Sequence, residues 1–223
     1  MEFGPCLLFG AWDLPAGRQV WNLDSAFMMI RVRTVRKRLV LLLLAAAGLA
    51  AGAWGTYSFV RWRHDEGIEA RLDRLAPIIW RHAQANSLPT GFVRDVIRAE
   101  SGADERAVSA RNAKGLMQIT PVAMEEVCRL RHLPRSDLFD PNYNVELGTA
   151  YLRILLDKFD GDAHLALAAY HMGPTKLLQA RRADPALTGR EIVEKVAPPT
   201  TIRYCRTVLR GRDLRLPKAP RTP

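Results

Sequence analysis

Glu100 is the residue in this chain whose position speaks most directly of chemistry. In the segment that begins near Pro89, Val93, Val96 and Ile97 recur at helical spacing, and Glu100 continues the same apolar stripe. A carboxylate facing a core is costly unless it is paired or takes up a proton. A carboxyl group that keeps its proton near neutrality can protonate a leaving oxygen, which is the work of a general acid. Spacing alone leaves other outcomes open: the side chain can reach out to water, or pair with Arg94 or Arg98. Ser101-Gly102 follows at once and ends the helix, placing Glu100 in its last turn, where a cleft can open. Lys114-Gly115 then reads as a turn into Leu116-Met117-Gln118-Ile119-Thr120-Pro121. Gln118 offers a donor and an acceptor to a sugar or acetamido group, and Met117 offers adaptable apolar contact. Taken alone, both residue types are more often ordinary surface and packing residues.

The three clusters together carry a resemblance. Glu100-Ser101-Gly102, then Gly115-Leu116-Met117-Gln118-Ile119-Thr120, then Ala169-Tyr170-His171-Met172-Gly173-Pro174 resemble three successive motifs of the soluble-lytic-transglycosylase family. Asp140-Pro141 with Asn144, Gly148 and Tyr151-Leu152 is similar to the helix that this family places between its second and third motifs. The likeness runs roughly from Leu75 to Leu209, and the motifs are specific in this order and spacing, though each alone is weak. It implies an all-α, lysozyme-like helical domain with a glycan-binding cleft, preceded by an N-terminal transmembrane or signal helix. It also implies a peptidoglycan lytic transglycosylase with one catalytic carboxylate and no cofactor or metal. In such an enzyme the carboxyl group protonates the oxygen between N-acetylmuramic acid and N-acetylglucosamine. As carboxylate it then takes the proton of the muramyl 6-hydroxyl, which closes on C1 to leave a 1,6-anhydro end. Carried onto this chain, Glu100 has both roles, and Ser101, Met117, Gln118 and Tyr170 match positions that line the cleft. Tyr170 would orient the acid or the substrate.

Two departures stand out. His171 occupies a position where the family usually has Asn, and an imidazole is bulkier and titrates near neutrality. The run Thr200-Thr201-Ile202-Arg203-Tyr204 keeps the Thr and Tyr of a family element but lacks its Glu and shifts its Arg. Tyr204 and His171 therefore join the candidate substrate-binding residues, with the salt-bridge network around Tyr204 in doubt. A two-carboxylate hydrolase needs a second acid about 5–9.5 Å from the first. Asp104 and Glu105 lie nearby in the chain but outside the matched motifs, and neither can be assigned that part.

The elements that must position these residues read as helices almost throughout from Gly67. Ile68, Leu72, Leu75, Ile78 and Ile79 form one stripe; Gly148, Tyr151, Leu152, Leu155, Leu156 and Phe159 form another. Helix starts are expected at Ser87 before Leu88-Pro89, at Thr120 before Pro121 and at Asp140 before Pro141, and Gly173-Pro174 should stop one helix and open the next. Upstream, Arg31, Arg33, Arg36, Lys37 and Arg38 precede an uncharged run, Leu39 to Val60, whose 22 residues are long enough to span a bilayer. The basic flank keeps the cytoplasmic side, which sends the rest across the membrane. Cleavage near Ala51-Gly52-Ala53 would make the run a signal peptide; its full length favours an anchor. Met28 and Met29 just before the basic cluster suggest the true start. The expected organisation is a spurious or disordered extension over 1–27, a signal anchor or signal peptide over 28–60, a catalytic domain over 67–212 and a disordered tail over 213–223.

The chain carries a net charge of +10, and residues 61–223 keep 27 Lys/Arg against 20 Asp/Glu. Such a domain is drawn to anionic polymers. No basic helix, zinc spacing or RNA-binding aromatic motif argues for nucleic acid. The cysteines, Cys6, Cys128 and Cys205, form no metal-binding pattern, and a Cys128–Cys205 disulfide is open if the domain is exported. The expected setting is the periplasmic face of the inner membrane, or the soluble periplasm after cleavage. Expected partners are peptidoglycan strands, the membrane through residues 39–60, and possible wall-spanning secretion or assembly machinery. Two rival readings keep the same fold: a goose-type lysozyme-like hydrolase, and a glycan-binding protein whose catalysis has decayed at His171.

Overall fold

The computed structural model describes residues 23–217, with side chains from residue 39 onward. Nine helices follow one another among the described residues. They are α1 (Leu23–Arg74), α2 (Ala76–Ala85), α3 (Thr90–Ser101), α4 (Pro121–Arg131), α5 (Pro141–Lys158), α6 (Ala163–Met172), α7 (Thr175–Ala183), α8 (Gly189–Val196) and α9 (Pro199–Leu209). Extended pairing among these residues is confined to isolated bridges, one of which, Lys114 to Ile119, closes the turn that contains Gly115. The all-helical class expected from the stripes is the class observed.

The chain divides into two units, Met1–Val60 and Arg61–Pro223. In the first, the described side chains of residues 39–60 are all exposed along α1. From Leu39 onward this helix is long and apolar enough to cross a membrane. Residues 1–22, most of the expected N-terminal extension, lie outside the described residues.

In the second unit the local signals explain most boundaries. Thr120 and Asp140 cap α4 and α5 through side-chain oxygens that accept from the Ala123 and Tyr143 amides, and Asp162 caps α6 in the same way. Gly173 ends α6 at φ 88°, and α7 begins just after Pro174. Ser87 departs from expectation. It adopts a left-handed conformation, φ 51°, beyond the end of α2, and α3 starts only at Thr90 with Pro89 as its cap residue. The proline forces extended backbone on the residue before it, so the helix cannot begin upstream.

α5 runs through the core: Val145, Leu147, Leu152, Leu155 and Leu156 are fully enclosed. Each such side chain stabilises the fold by about 1.5–3 kcal/mol relative to exposure. α6 is so apolar that six of its ten residues are buried, and it packs against α5, α7, α8 and α9. Ile68, Leu72 and Leu75 insert into the same core. Cys128 and Cys205 are buried free thiols; the former faces Tyr143 and the latter the His164 carbonyl, so no disulfide joins them. The expected tail also needs revision. Arg215 bridges to Asp162, Leu216 is buried with its amide on the Gly161 carbonyl at 2.8 Å, and Arg153 donates to the Pro217 carbonyl at 2.9 Å. One leucine and the enclosed Arg153 fasten residues 213–217 to the domain, and residues 218–223 of the expected tail lie outside the described residues.

Candidate active site

α3 carries the candidate acid, Glu100. Val93, Val96 and Ile97 are fully enclosed on its inner face, and Glu100 follows on that face one turn later. Gly102 stops the helix in the left-handed conformation, φ 60°. Arg71 grips this end, donating to the Gly102 carbonyl at 2.9 and 3.2 Å, which complements the negative end of the helix dipole. Glu100 Oε1 is shut off from solvent without a regular hydrogen-bond partner. Burial raises the carboxyl pKa to about 7, against a smaller opposing effect of the Tyr204 hydroxyl. Arg94 and Arg98, left open as partners, turn to Glu69 instead. Near neutrality Glu100 is therefore divided between acid and carboxylate, able to give a proton and take it back.

The loop beside it is built around Gly115 and Asn144. Gly115 sits at φ 74°, and a Cβ there would stand 2.4 Å from both Asn144 Nδ2 and the Leu138 carbonyl. Asn144, fully buried on α5, accepts from the Met117 amide at 2.8 Å and donates to the Lys114 and Leu138 carbonyls at 2.9 and 2.7 Å. Every hydrogen-bonding atom of its amide group is used to hold the loop. Asn144 is thus a positioning residue that the motif reading mentioned without assigning it to the site. Its place on the apolar stripe of α5 was the available signal.

The candidate residues separate into three groups. Ser101 and Tyr170 tie the loop down: Ser101 Oγ donates to the Leu116 carbonyl at 2.8 Å, and the Tyr170 hydroxyl donates to the Met117 carbonyl at 2.7 Å. Met117 is not a wall residue as expected. Its side chain is fully enclosed, set against Gly148 so closely that a Cβ there would lie 2.3 Å from Sδ. Gln118 spends its amide N–H groups on the Ala107 and Gly115 carbonyls, leaving only Oε1 to offer outward.

The third group surrounds Glu100. The Tyr204 hydroxyl is buried without a regular partner, yet close enough to Glu100 to favour its ionised form. His171 Nδ1 pairs with Thr201 Oγ1 at 2.9 Å, and its ring lies 4.9 Å from that of Tyr204 at 30°. Tyr151 packs on Tyr170 at 5.4 Å. Burial first, then the Glu100 charge, pushes both the Tyr170 and Tyr204 hydroxyls well above the usual phenol range, so both keep their protons. Burial and then nearby Arg111 hold His171 below the usual imidazole range. No second carboxylate contributes to the Glu100 shift, and among the described residues no cluster of three His, Cys, Asp or Glu could hold a metal ion. A hollow of about 420 Å³ bounded by Asp162, Arg181, Leu187 and Arg215 belongs to another part of the domain and does not include Glu100.

Residues 77–193, which contain Glu100, the Gly115 loop, Tyr170 and His171, match the family described as Transglycosylase SLT domain. The membrane-bound lytic murein transglycosylase C of Histophilus somni is 30% identical over 129 residues, 52% of this chain and 36% of that protein. The lytic transglycosylase Slt of Pseudomonas aeruginosa, solved as an inactive mutant, superposes with a TM-score of 0.56 at 29% identity, over 60% of this chain and 22% of that one. The 70 kDa soluble lytic transglycosylase of Escherichia coli gives a TM-score of 0.57 at 23% identity, over 69% and 28%, and so speaks for the fold. The chain spans little more than a third of the curated relative's length, and less of the solved ones.

Proposed function

The chain belongs to the Transglycosylase SLT domain family, and from that premise we propose that its helical domain cleaves the β-1,4 bond between N-acetylmuramic acid and N-acetylglucosamine in peptidoglycan. Glu100 gives its proton to the glycosidic oxygen as the C1–O bond breaks. The resulting carboxylate takes the proton of the muramyl 6-hydroxyl, whose oxygen bonds to C1. The product is a 1,6-anhydro end, the proton count closes within the site, and no water is consumed. The observation that carries this reading is the Glu100 carboxyl itself, buried, without a cation, and held at a pKa of about 7. One group in that state serves both proton transfers. Tyr204, a phenol that keeps its proton, supports the carboxylate while it exists. Ser101, Met117 and Tyr170 act on this reading by fixing the loop, while Gln118 Oε1 is left to meet the sugar.

The setting proposed with this activity is the periplasmic face of the inner membrane, with residues 39–60 as the anchor, or the soluble periplasm if that segment is removed. Recruitment by a wall-spanning secretion or assembly machine is a finer proposal, tested by cross-linking the full chain in intact cells. The decisive experiment incubates the full chain, in detergent, with isolated peptidoglycan and reads released fragments by mass spectrometry. Anhydro-muramyl ends that vanish in Glu100→Gln are expected. Reducing ends would instead make the protein a hydrolase, and release that survives Glu100→Gln would remove Glu100 from the chemistry.

A further inference from the structure

The two phenols beside Glu100 are held in different ways. Tyr170 is anchored at its tip, because its hydroxyl donates to the Met117 carbonyl at 2.7 Å. Tyr204 has no such anchor at its tip: its hydroxyl is buried beside Glu100 without a regular partner, which leaves the contacts of its ring to be considered. His171 packs there. From α6, its ring lies 4.9 Å from that of Tyr204, tilted by 30°, while its Nδ1 meets Thr201 Oγ1 at 2.9 Å. Thr201 and Tyr204 are three residues apart on α9, so they share one face of that helix. The imidazole thus holds α9 at two points one turn apart, one polar and one by ring contact. Thr201 is fully enclosed, so its hydroxyl has no water to exchange for the imidazole.

We propose that His171 is a positioning residue, which fixes the Tyr204 hydroxyl beside the Glu100 carboxyl by clasping α9 at Thr201 and Tyr204. The inference rests on Glu100 being the proton-transferring group. An asparagine at this position would offer Tyr204 no ring face. Burial and the Arg111 cation keep the imidazole neutral where Glu100 is half-protonated, so the clasp adds no charge beside the acid. Because the Tyr204 hydroxyl lowers the Glu100 pKa, a displaced Tyr204 should leave Glu100 more strongly protonated.

The test follows the Glu100 carboxyl by carbon-13 NMR titration of the full chain in detergent, a readout that needs no substrate. His171→Ala should raise the Glu100 pKa, Tyr204→Phe should raise it as well, and combining them should add nothing to Tyr204→Phe alone. His171→Phe, which keeps a ring against Tyr204, should shift Glu100 less than His171→Ala does. An unchanged Glu100 pKa in His171→Ala, or a full additive shift in the double variant, would overturn the proposal. Should His171→Ala fail to fold, Thr201→Val removes one of the two holds at nearly constant volume. It must then raise the Glu100 pKa in the Tyr204 background and not in Tyr204→Phe, or the proposal is lost. Where the chain releases anhydro ends, His171→Ala should also lower kcat roughly ten- to a hundredfold, as for a displaced catalytic group, with KM nearly unchanged. A chain that releases nothing would defeat the proposed activity and leave the titration to judge the clasp by itself.

Discussion

The two faces of α3 treat a glutamate in opposite ways. On one side Arg94 meets Glu69 at 2.8 Å and Asp73 at 2.7 Å, while Arg98 pairs with Glu69 and, at 2.7 Å, with Asp95; Arg210 reaches Asp95 at 2.8 Å. The guanidinium of Arg94 leads in holding the Glu69 carboxyl below its ordinary range. On the other side Glu100 has apolar neighbours and phenols but no cation, and burial lifts it to about 7. One helix thus carries a solvated ion-pair network and a proton-holding acid a turn apart. Sequence distance does not set the difference, since Arg98 is two residues from Glu100. Residues two apart point to different sides of a helix, so the cations closest in the chain are the ones that cannot serve it.

The sharpest way to break this contrast is to remove the proton and keep the shape. Glu100→Gln should lower release of anhydro ends by about 10²–10⁴-fold, the usual contribution of a general acid and base. Retained binding to sedimented peptidoglycan would show that only the chemistry was lost. A comparable loss in Glu69→Gln would erase the distinction between the faces.

Next in size is Asn144→Leu. It strands the Met117 amide and the Lys114 and Leu138 carbonyls in the interior, which should cost about 3–5 kcal/mol in urea unfolding. A midpoint within error of the parent would mean that the loop does not depend on this amide.

The pH dependence of stability separates the two glutamates by sign. Glu100 binds its proton more tightly in the folded chain than the ordinary value of 4.5, so its favourable contribution is complete below that value and is lost as pH rises through about 7. Relative to wild type, Glu100→Gln should therefore gain stability between about pH 4 and pH 8, by up to roughly 3 kcal/mol. Glu69 runs the other way: its contribution is present above 4.5 and fades as the carboxylate is protonated at lower pH. Thermal unfolding of both variants across that range checks the opposition, and parallel curves would refute it. The smallest effect belongs to Glu69→Gln near neutrality. Its carboxylate is nearly half exposed, so the loss should stay below about 1 kcal/mol and shrink further in high salt.

Much of this was legible in the residues. The stripe Val93, Val96, Ile97, Glu100 placed a carboxyl on a buried face because helical periodicity is local. Thr120 and Asp140 announced their helices because a cap needs only the next few amides. Met117 and Leu216 were misread for a common reason: each is buried by residues distant in the chain, Gly148 for the one and Gly161 for the other. Ser87 failed locally, since the following proline outweighed its capping tendency.

By itself, then, the sequence determined the helical class, the apolar span at residues 39–60 and the place of one carboxyl at the end of a buried helical stripe. All three follow from patterns read within a few turns of a single helix. Only the tertiary structure decided that Glu100 would lack a cation, that Asn144 would hold the neighbouring loop and that His171 would lie between Thr201 and Tyr204. Those outcomes depend on which helices pack together, because burial, and with it the free energy of a charge, is set by neighbours that the local pattern does not specify.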